Sequence, residues 1–274
     1  MAGTLYVVAT PIGNLEDITY RAVRVLREAG VIACEDTRQT RKLLDRYEVT
    51  RPTISYHEHN EAERIPALLD RLQAGENIAL VSDAGMPLVS DPGYRLVSAA
   101  IARGIAVQPV PGPSAVITAL AASGLATDAF HFAGFLPSRS GPRQKILESL
   151  RNETATLVFF ETPHRLLETL ETIDRVLGPR PVVVARELTK IHEEFLRGTA
   201  AEIHAALRKR GFIKGEITLL IGKRTEAVDD AEPVEEAVET CIRRGMSRME
   251  AIKAVARSRG LSKREVYTRL EHAK

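Results

Sequence analysis

Short apolar runs alternate with amphipathic stretches almost from the first residue. Residues 5–9 read as a strand, and 19–29 place Ala22, Val23 and Leu26 on one helical face before Gly30 stops them. Val31–Cys34 is the next strand. Residues 61–74 form a helical pattern around Leu68, Leu69 and Leu72, closed by Gly75. Ile78–Val81 has the unbroken apolar character of a strand buried on both faces. A helix over 93–103 ends at Gly104, and 105–110 makes a further strand. This alternation predicts an α/β layer architecture with a largely parallel sheet.

After Pro111-Gly112-Pro113 the pattern restarts, with strands expected at 157–160, 182–185 and Ile217–Ile221. Two α/β lobes are therefore expected, 1–112 and 113–224. A third region, 225–274, opens with an acidic linker over 225–233 that lacks apolar periodicity. Short helices are expected over 234–244, 248–259 and Lys263–His272, the last with Ser262 as its N-cap. Helix, glycine turn and basic helix resemble a helix-turn-helix. Small bundles that bind nothing show the same pattern.

Composition narrows the class. The chain is 44% apolar and 27% charged, the balance of a soluble globular protein rather than a disordered one. No apolar run approaches the roughly 18 residues of a membrane span. The first residues carry no basic n-region and run directly into a strand, so no secretory signal is expected. Cys34 and Cys241 lie far apart and form no metal-like cluster, which points to a reducing, cytoplasmic setting. A net charge of +2 is too small to announce a nucleic-acid partner. Its distribution says more. Arg243, Arg244, Arg248, Lys253, Arg257, Arg259, Lys263, Arg264 and Arg269 crowd the last stretch, opposed by Glu250 and Glu265.

The motifs exclude two common nucleotide folds. There is no G-x-x-x-x-G-K-[ST] and no G-x-G-x-x-G after the first strand. Ser82-Asp83-Ala84-Gly85-Met86-Pro87 follows a buried strand, but proline stands where a second close-approach glycine is wanted. Four more loops sit at strand ends: 10–14, 35–38, 111–115 and 161–165. Ligands of open α/β sheets gather outside such ends, and small residues there let backbone groups reach a ligand. Pro and Gly also simply punctuate turns. Several polar loops of this kind together favour a composite pocket.

Nine short words then occur in order over about residues 4–224. They are ATPIGNLEDIT (9–19), ACEDTRQTRKLL (33–44), HEHNE (57–61), SDAGMPLVSDPG (82–93), PGPSAVITALAASGL (111–125), FAGFLP (132–137), FFETPHRL (159–166), ARELTKIHEE (185–194) and KGEITLLIG (214–222). Together they resemble the tetrapyrrole (corrin/porphyrin) methylase superfamily, and within it the branch that methylates a cytidine 2′-hydroxyl of small-subunit (16S) ribosomal RNA. The resemblance implies two lobes with S-adenosylmethionine in the cleft between them, a small C-terminal helical extension, the small ribosomal subunit as partner, and a homodimer. Carried over by position, it implies cofactor contacts at Pro11, Asp83, Ala84, Gly85, Met86, Pro87, Ser114 and Ala115. In the second lobe it implies contacts at Phe160, Glu161, Arg186, Glu187, Gly215, Glu216 and Thr218. An enzyme of the same fold acting on a tetrapyrrole precursor is the alternative, and a ligand-sensing nucleic-acid binder is a third. The basic tail and the words ACEDTR, HEHNE and ETPHR favour RNA.

Methyl transfer to a ribose hydroxyl calls for alignment and a base that draws off the proton. Glu35, Asp36, His57, Glu58, His59, Glu161 and Lys190 are the candidates in loops. Glu35-Asp36-Thr37-Arg38 leads, with one acid as base and the other holding Arg38, which is suited to grip a phosphate. The competing reading is a helix cap at Thr37. His57-Glu58-His59-Asn60-Glu61 lacks the i, i+4 spacing of a zinc helix, so no metal is expected. His59 and Asn60 are instead candidates for catalysis or RNA contact, although Asn60 also suits an N-cap. His164, Arg165, Arg186 and Lys190 add positive charge near the cleft, or are ordinary surface charge. Of Phe130, Phe132, Phe135, Phe159 and Phe160, any could stack a base, with a core position expected for most.

Overall fold

In the computed structural model, which describes residues 1–224, 233–243, 245–258 and 261–272, the N-terminal alternation becomes a five-stranded parallel sheet. Its strands are β1 (Thr4–Val8), β2 (Val31–Cys34), β3 (Thr53–Ser55), β4 (Ile78–Val81) and β5 (Ala106–Val110), ordered β3-β2-β4-β1-β5. Every pairing is parallel. β2 and β4 are buried at every position, as strands covered on both faces must be. Helices α1 (Tyr20–Glu28) and α2 (Thr37–Arg46) bring Ala22, Val25, Leu26 and Leu44 onto Val8, Ile32 and Cys34 on one face. Helices α3 (Glu61–Gln73) and α4 (Tyr94–Ala102) bring Leu68, Leu69, Leu72 and Leu96 onto Leu5, Ala33 and Leu80 on the other.

Caps fix these helices. Thr19 accepts from Ala22 N–H, and Asp36 accepts from Arg38 N–H. Asn60 stands at the N-cap of α3 but makes no capping bond. Its side chain turns back instead, accepting from His57 N–H at 2.8 Å and donating to Ser55 C=O at 3.1 Å. That corrects the expected cap: the amide is consumed by the chain entering the helix.

The second lobe runs α5 (Ala115–Ser123), β6 (Phe130–Phe135), α6 (Ser140–Ser149), β7 (Thr156–Glu161), α7 (Leu166–Leu177), β8 (Pro181–Arg186), β9 (Glu194–Thr199), α8 (Ala200–Arg208) and β10 (Ile217–Ile221). The sheet order is β6-β7-β10-β8-β9. Only β6 and β7 are parallel; β10 opposes both β7 and β8, and β8 opposes β9. The largely parallel expectation thus fails in this lobe. Apolar patterning carries no strand direction, and β8 returns to β9 through a short loop that permits only an antiparallel partner. Ile12, in the loop after β1, packs with Val116, Ala119 and Leu120 of α5 against Val158, Val183 and Leu220 of the second sheet, so the two lobes share an apolar contact.

Residues Met1–Lys223 form one compact unit and Arg224–Lys274 a second. In the second, α9 (Val234–Arg243), α10 (Arg248–Ser258) and α11 (Lys263–His272) enclose Val238, Ile252, Val255 and Val266. Ser262 caps α11 as expected, accepting from Glu265 N–H while Glu265 accepts from Ser262 N–H. The acidic stretch 225–232, with Arg244, Arg259, Gly260 and the Arg257 side chain, lies outside the described residues. Among the described residues, no helix is long and apolar enough to cross a membrane.

Candidate functional site

The loops leaving the carboxyl ends of β1, β4 and β5 converge. Thr10 and Gly85 exchange both backbone hydrogen bonds, at 2.9 and 3.0 Å, and Thr10 Oγ1 donates to Ser82 C=O. This isolated bridge pins the loop after β1 to the loop after β4. Leu88 and Ser90 take positive φ, 71° and 67°, a conformation rare outside glycine and typical of functional loops. They turn the chain so that Asp91 comes back to the cleft.

A cavity of about 340 Å³ opens where these loops meet the second lobe, within the range of small-molecule sites. Its apolar wall includes Ile12, Met86, Val89, Val116, Phe135, Phe160, Leu188 and Ile217. The charged residues lining it, among those described, are all acids: Asp91, Glu161 and Glu216. Ser114 also lines it, at the N-terminus of α5 and without a capping bond of its own. Helix N-termini attract carboxylates and other anions. A second cavity of about 430 Å³ shares Ile12, Ala84 and Glu216 with the first and continues to Thr10, Gln39, Thr40, Lys42, Asp83 and Lys190.

Of the expected cofactor contacts, Ala84, Gly85, Met86, Ser114, Ala115, Phe160, Glu161, Gly215, Glu216 and Thr218 line the first cavity. Pro11 and Asp83 line the second, whereas Pro87, Arg186 and Glu187 line neither. Arg186 is occupied by Glu194 and Lys214 C=O. Glu187 accepts from Lys190 and from Glu216 N–H. It works from behind the wall: Gly215, at φ 94°, has no room for a Cβ, which would fall 2.4 Å from the Glu187 side chain. Sequence reading missed Asp91, Val89 and Leu188, whereas Phe135, named there as a base-stacking candidate, lines the first cavity. The word SDPG contains Asp91, but only the turn at 88–90 brings it round.

The lobes also touch near the cleft. Asn14 N–H donates to Thr189 Oγ1 at 3.0 Å, and a Cβ on Gly13 would fall 2.6 Å from Lys190 Cγ. Lys190 bridges Glu187 and Glu216 at 2.8 and 3.0 Å. Partial burial alone would lower its pKa, but the ion pairs with Glu187 and Glu216 outweigh it, and the net effect is a raised pKa.

The carboxylates divide by environment. Asp36 holds Arg38 through two bonds, at 3.1 and 2.9 Å, and these hold its carboxyl down to about 2. Its backbone N–H donates to Asp83 Oδ1. Burial pushes up Asp83, and also Glu35, where Asp83 and Glu58 add to the effect. Asp91 is pushed up to about 6 by burial and by the neighbouring Glu35 and Asp83. Raised carboxylates in a cleft are the mark of acid–base machinery. Glu35 and Asp36 themselves line neither cavity.

Several other candidates have hydrogen-bond partners within the fold or stand apart from the cavities. Glu161 is buried, and accepts from Thr162 N–H, from two nitrogens of Arg165 and from Thr169 Oγ1. Arg165 is therefore committed to Glu161 rather than to the cleft. Asn60 is tied to the backbone and to His57 Nε2, and His59 stands exposed beside His57. Neither lines a cavity. Among the described residues no group of three or more metal-ligand side chains occurs. The phenylalanines also depart from expectation. Phe159 is fully buried, but Phe130 and Phe135, on the edge strand β6, are exposed, and Phe135 lines the cavity.

A parallel α/β lobe and a mixed α/β lobe thus have a largely apolar cavity between them whose charged lining, among the described residues, is acidic. The chain belongs to the tetrapyrrole (corrin/porphyrin) methylase family, whose model matches residues 4–204. It is 52% identical over 273 residues to ribosomal RNA small subunit methyltransferase I of Halalkalibacterium halodurans, covering 97% of this chain and 93% of that one. The protein of the same name from Thermotoga maritima is 48% identical over 219 residues, which are 80% of this chain and 98% of the relative. Among solved structures, diphthine synthase superposes with a TM-score of 0.64 at 15% identity, over 80% of this chain and 90% of that one, a likeness of fold.

The cofactor is S-adenosylmethionine, and the first cavity fits it. The ligand carries a sulfonium and an ammonium, and Asp91 lines the cavity without an ion-pair partner among the described residues, whereas Glu161 and Glu216 are paired with Arg165 and Lys190. Its apolar wall suits an adenine face, and the uncapped start of α5 suits the methionine carboxylate.

Proposed function

We propose that this protein transfers a methyl group from S-adenosylmethionine to the 2′-hydroxyl of a cytidine in 16S ribosomal RNA. The observation that carries the reading is the pair of adjacent cavities, one with acids as its charged lining among the described residues and one with Lys42 and Lys190 beside Asp83 and Glu216, in a chain 52% identical to a small-subunit methyltransferase over nearly its whole length. Bound in the first cavity, the cofactor supplies an electrophilic methyl group. The protein supplies alignment and a proton acceptor.

Asp83 takes the role of base. It lines the second cavity, one residue before Ala84, which lines both. Burial raises its carboxyl, so its ionised form binds a proton more readily than a surface aspartate. The Asp36 N–H fixes the Oδ1 atom, leaving Oδ2 to receive the ribose proton. Asp36 and Arg38 then act as a pair that holds the end of β2 in place. Asp91, Ser114 and Glu216 orient the cofactor from the walls of the first cavity.

The basic helices of the second unit supply further phosphate contacts. The reading also includes a homodimer and a cytoplasmic setting, where small subunits are assembled. Light scattering on the purified protein tests the dimer. Incubation with labelled cofactor and unmodified small subunits tests the activity: label in 16S RNA supports it, and label only in a tetrapyrrole precursor replaces it with the other activity of this fold.

A further inference from the structure

The two adjacent cavities differ in their charged lining. Among the described residues the first has acids alone; the second sets Lys42 and Lys190 beside Asp83 and Glu216, with Gln39 and Thr40 of α2 as further polar lining. Among the described residues, Lys42 Nζ is bonded only to the neutral amide of Gln39, at 2.8 Å. Thr40 Oγ1 is buried with no partner beyond the weak Cys34 thiol, and buried polar atoms in that state call for a partner. The second cavity is thus a built but unsatisfied polar site.

Helix α2 continues that site outward. Arg38, Arg41, Lys42 and Arg46 are exposed on it, opposed by Asp45. Arg38 is neutralised by Asp36. Among the described residues, Arg41, Lys42 and Arg46 form no ion pair with a carboxylate. With Arg38 taken, Lys42 and Arg46 recur at i, i+4, about 6 Å apart along the helix axis, and Arg41 stands beside them. By contrast, the neighbouring Arg24 is paired with Glu28 and Arg27 is bound to Tyr47 C=O. The Thermotoga relative is nearly spanned by a 219-residue alignment, so little of that protein is left to form a second unit like this chain's, which makes a surface on the first unit the natural place to look for RNA contacts.

We infer that the second cavity receives the target nucleotide of a single-stranded RNA segment, with Arg41, Lys42 and Arg46 holding the backbone that leads into it. This rests on the function proposed above and adds where the RNA lies. The nucleotide enters beside Thr40 and Lys42, its ribose hydroxyl facing Asp83 and the first cavity at Ala84. Base-unspecific phosphate contacts position the strand, as in most protein–RNA interfaces.

The test uses the full chain, unmodified small subunits and a salt series. In the triple variant R41Q/K42Q/R46Q, KM for subunits is expected to rise about tenfold or more, with a log–log salt slope flattened by about three charges. Cofactor affinity, by titration calorimetry, stays at the wild-type value. All three side chains are exposed, so the fold tolerates the change, and K42R restores the slope where K42Q reduces it. Wild-type KM and slope in the triple variant overturn the inference. So does a parallel loss of cofactor binding, which places the effect in the first cavity. Failure of the wild type to methylate RNA at all overturns the underlying function, and is told apart because it needs no variant.

Discussion

The backbone N–H of Asp36 donates to Asp83 Oδ1 at 3.0 Å, joining the loop after β2 to the loop after β4. One neighbour of this bond is a carboxylate held ionised by Arg38; the other is a carboxylate raised by burial. Adjacent strands of a parallel sheet thus place two acids in different environments, and these suit different tasks.

Replacing Asp83 by Asn preserves shape and removes the proton acceptor. D83N is expected to lower kcat by about 10²–10⁴-fold, with cofactor affinity nearly unchanged by calorimetry. Because a raised carboxyl serves as base only once ionised, the wild-type rate climbs as pH rises through that raised value and then levels. D83N loses this limb. A surviving limb assigns the base elsewhere.

Asp91 links cofactor binding to stability. Its carboxyl ionises at about 6 in the folded chain and near 3.9 in an unfolded one. The folded state therefore loses stability as pH rises across that interval, and the loss persists above it. D91N is expected to melt higher than wild type at pH 7 and equally below about pH 4. It also removes an anion facing a cationic ligand, so its cofactor affinity falls. Thermal melts and calorimetry on one preparation read both effects.

The Glu161–Arg165 pair is structural. The two groups meet at 2.8 Å, with the Glu161 side chain 1% exposed. R165A leaves a buried carboxylate without its cation and is expected to cost about 3–5 kcal/mol in urea unfolding. R165K keeps the charge but loses the paired geometry, and falls between.

The second unit has its own apolar core, and the apolar clusters of the first contain no residue beyond Ile221. A chain ending at residue 224 is expected to fold and bind cofactor normally while binding RNA more weakly. Loss of cofactor binding on truncation would make the tail part of the main core.

Much of this was legible in the sequence where local physics decides the outcome. Gly30, Gly75 and Gly104 ended helices where expected, and Ser262 capped the last one, because caps and stops act over a few residues. Ile78–Val81 announced its two-sided burial through an unbroken apolar run. Strand direction in the second sheet was not legible, since Val182–Ala185 reads alike either way round. Asn60 looked like a cap by type, yet its amide found His57 and Ser55 first. Asp91 and Phe135 became site residues through long-range placement alone: one by a strained turn, the other by an edge strand bordering the cleft. Lys42 was invisible as a candidate because its charge is ordinary, and only the cavity beside it gives it a task.

The decisive measurement is transfer of labelled methyl from S-adenosylmethionine to purified small ribosomal subunits that lack the modification, followed by nucleoside mass spectrometry. The structure and family lead us to expect label in 2′-O-methylcytidine, lost in D83N. Label on a base, or on a uroporphyrin-type precursor with none in ribosomal RNA, would keep the fold and cofactor but refute the ribose of a cytidine as the acceptor.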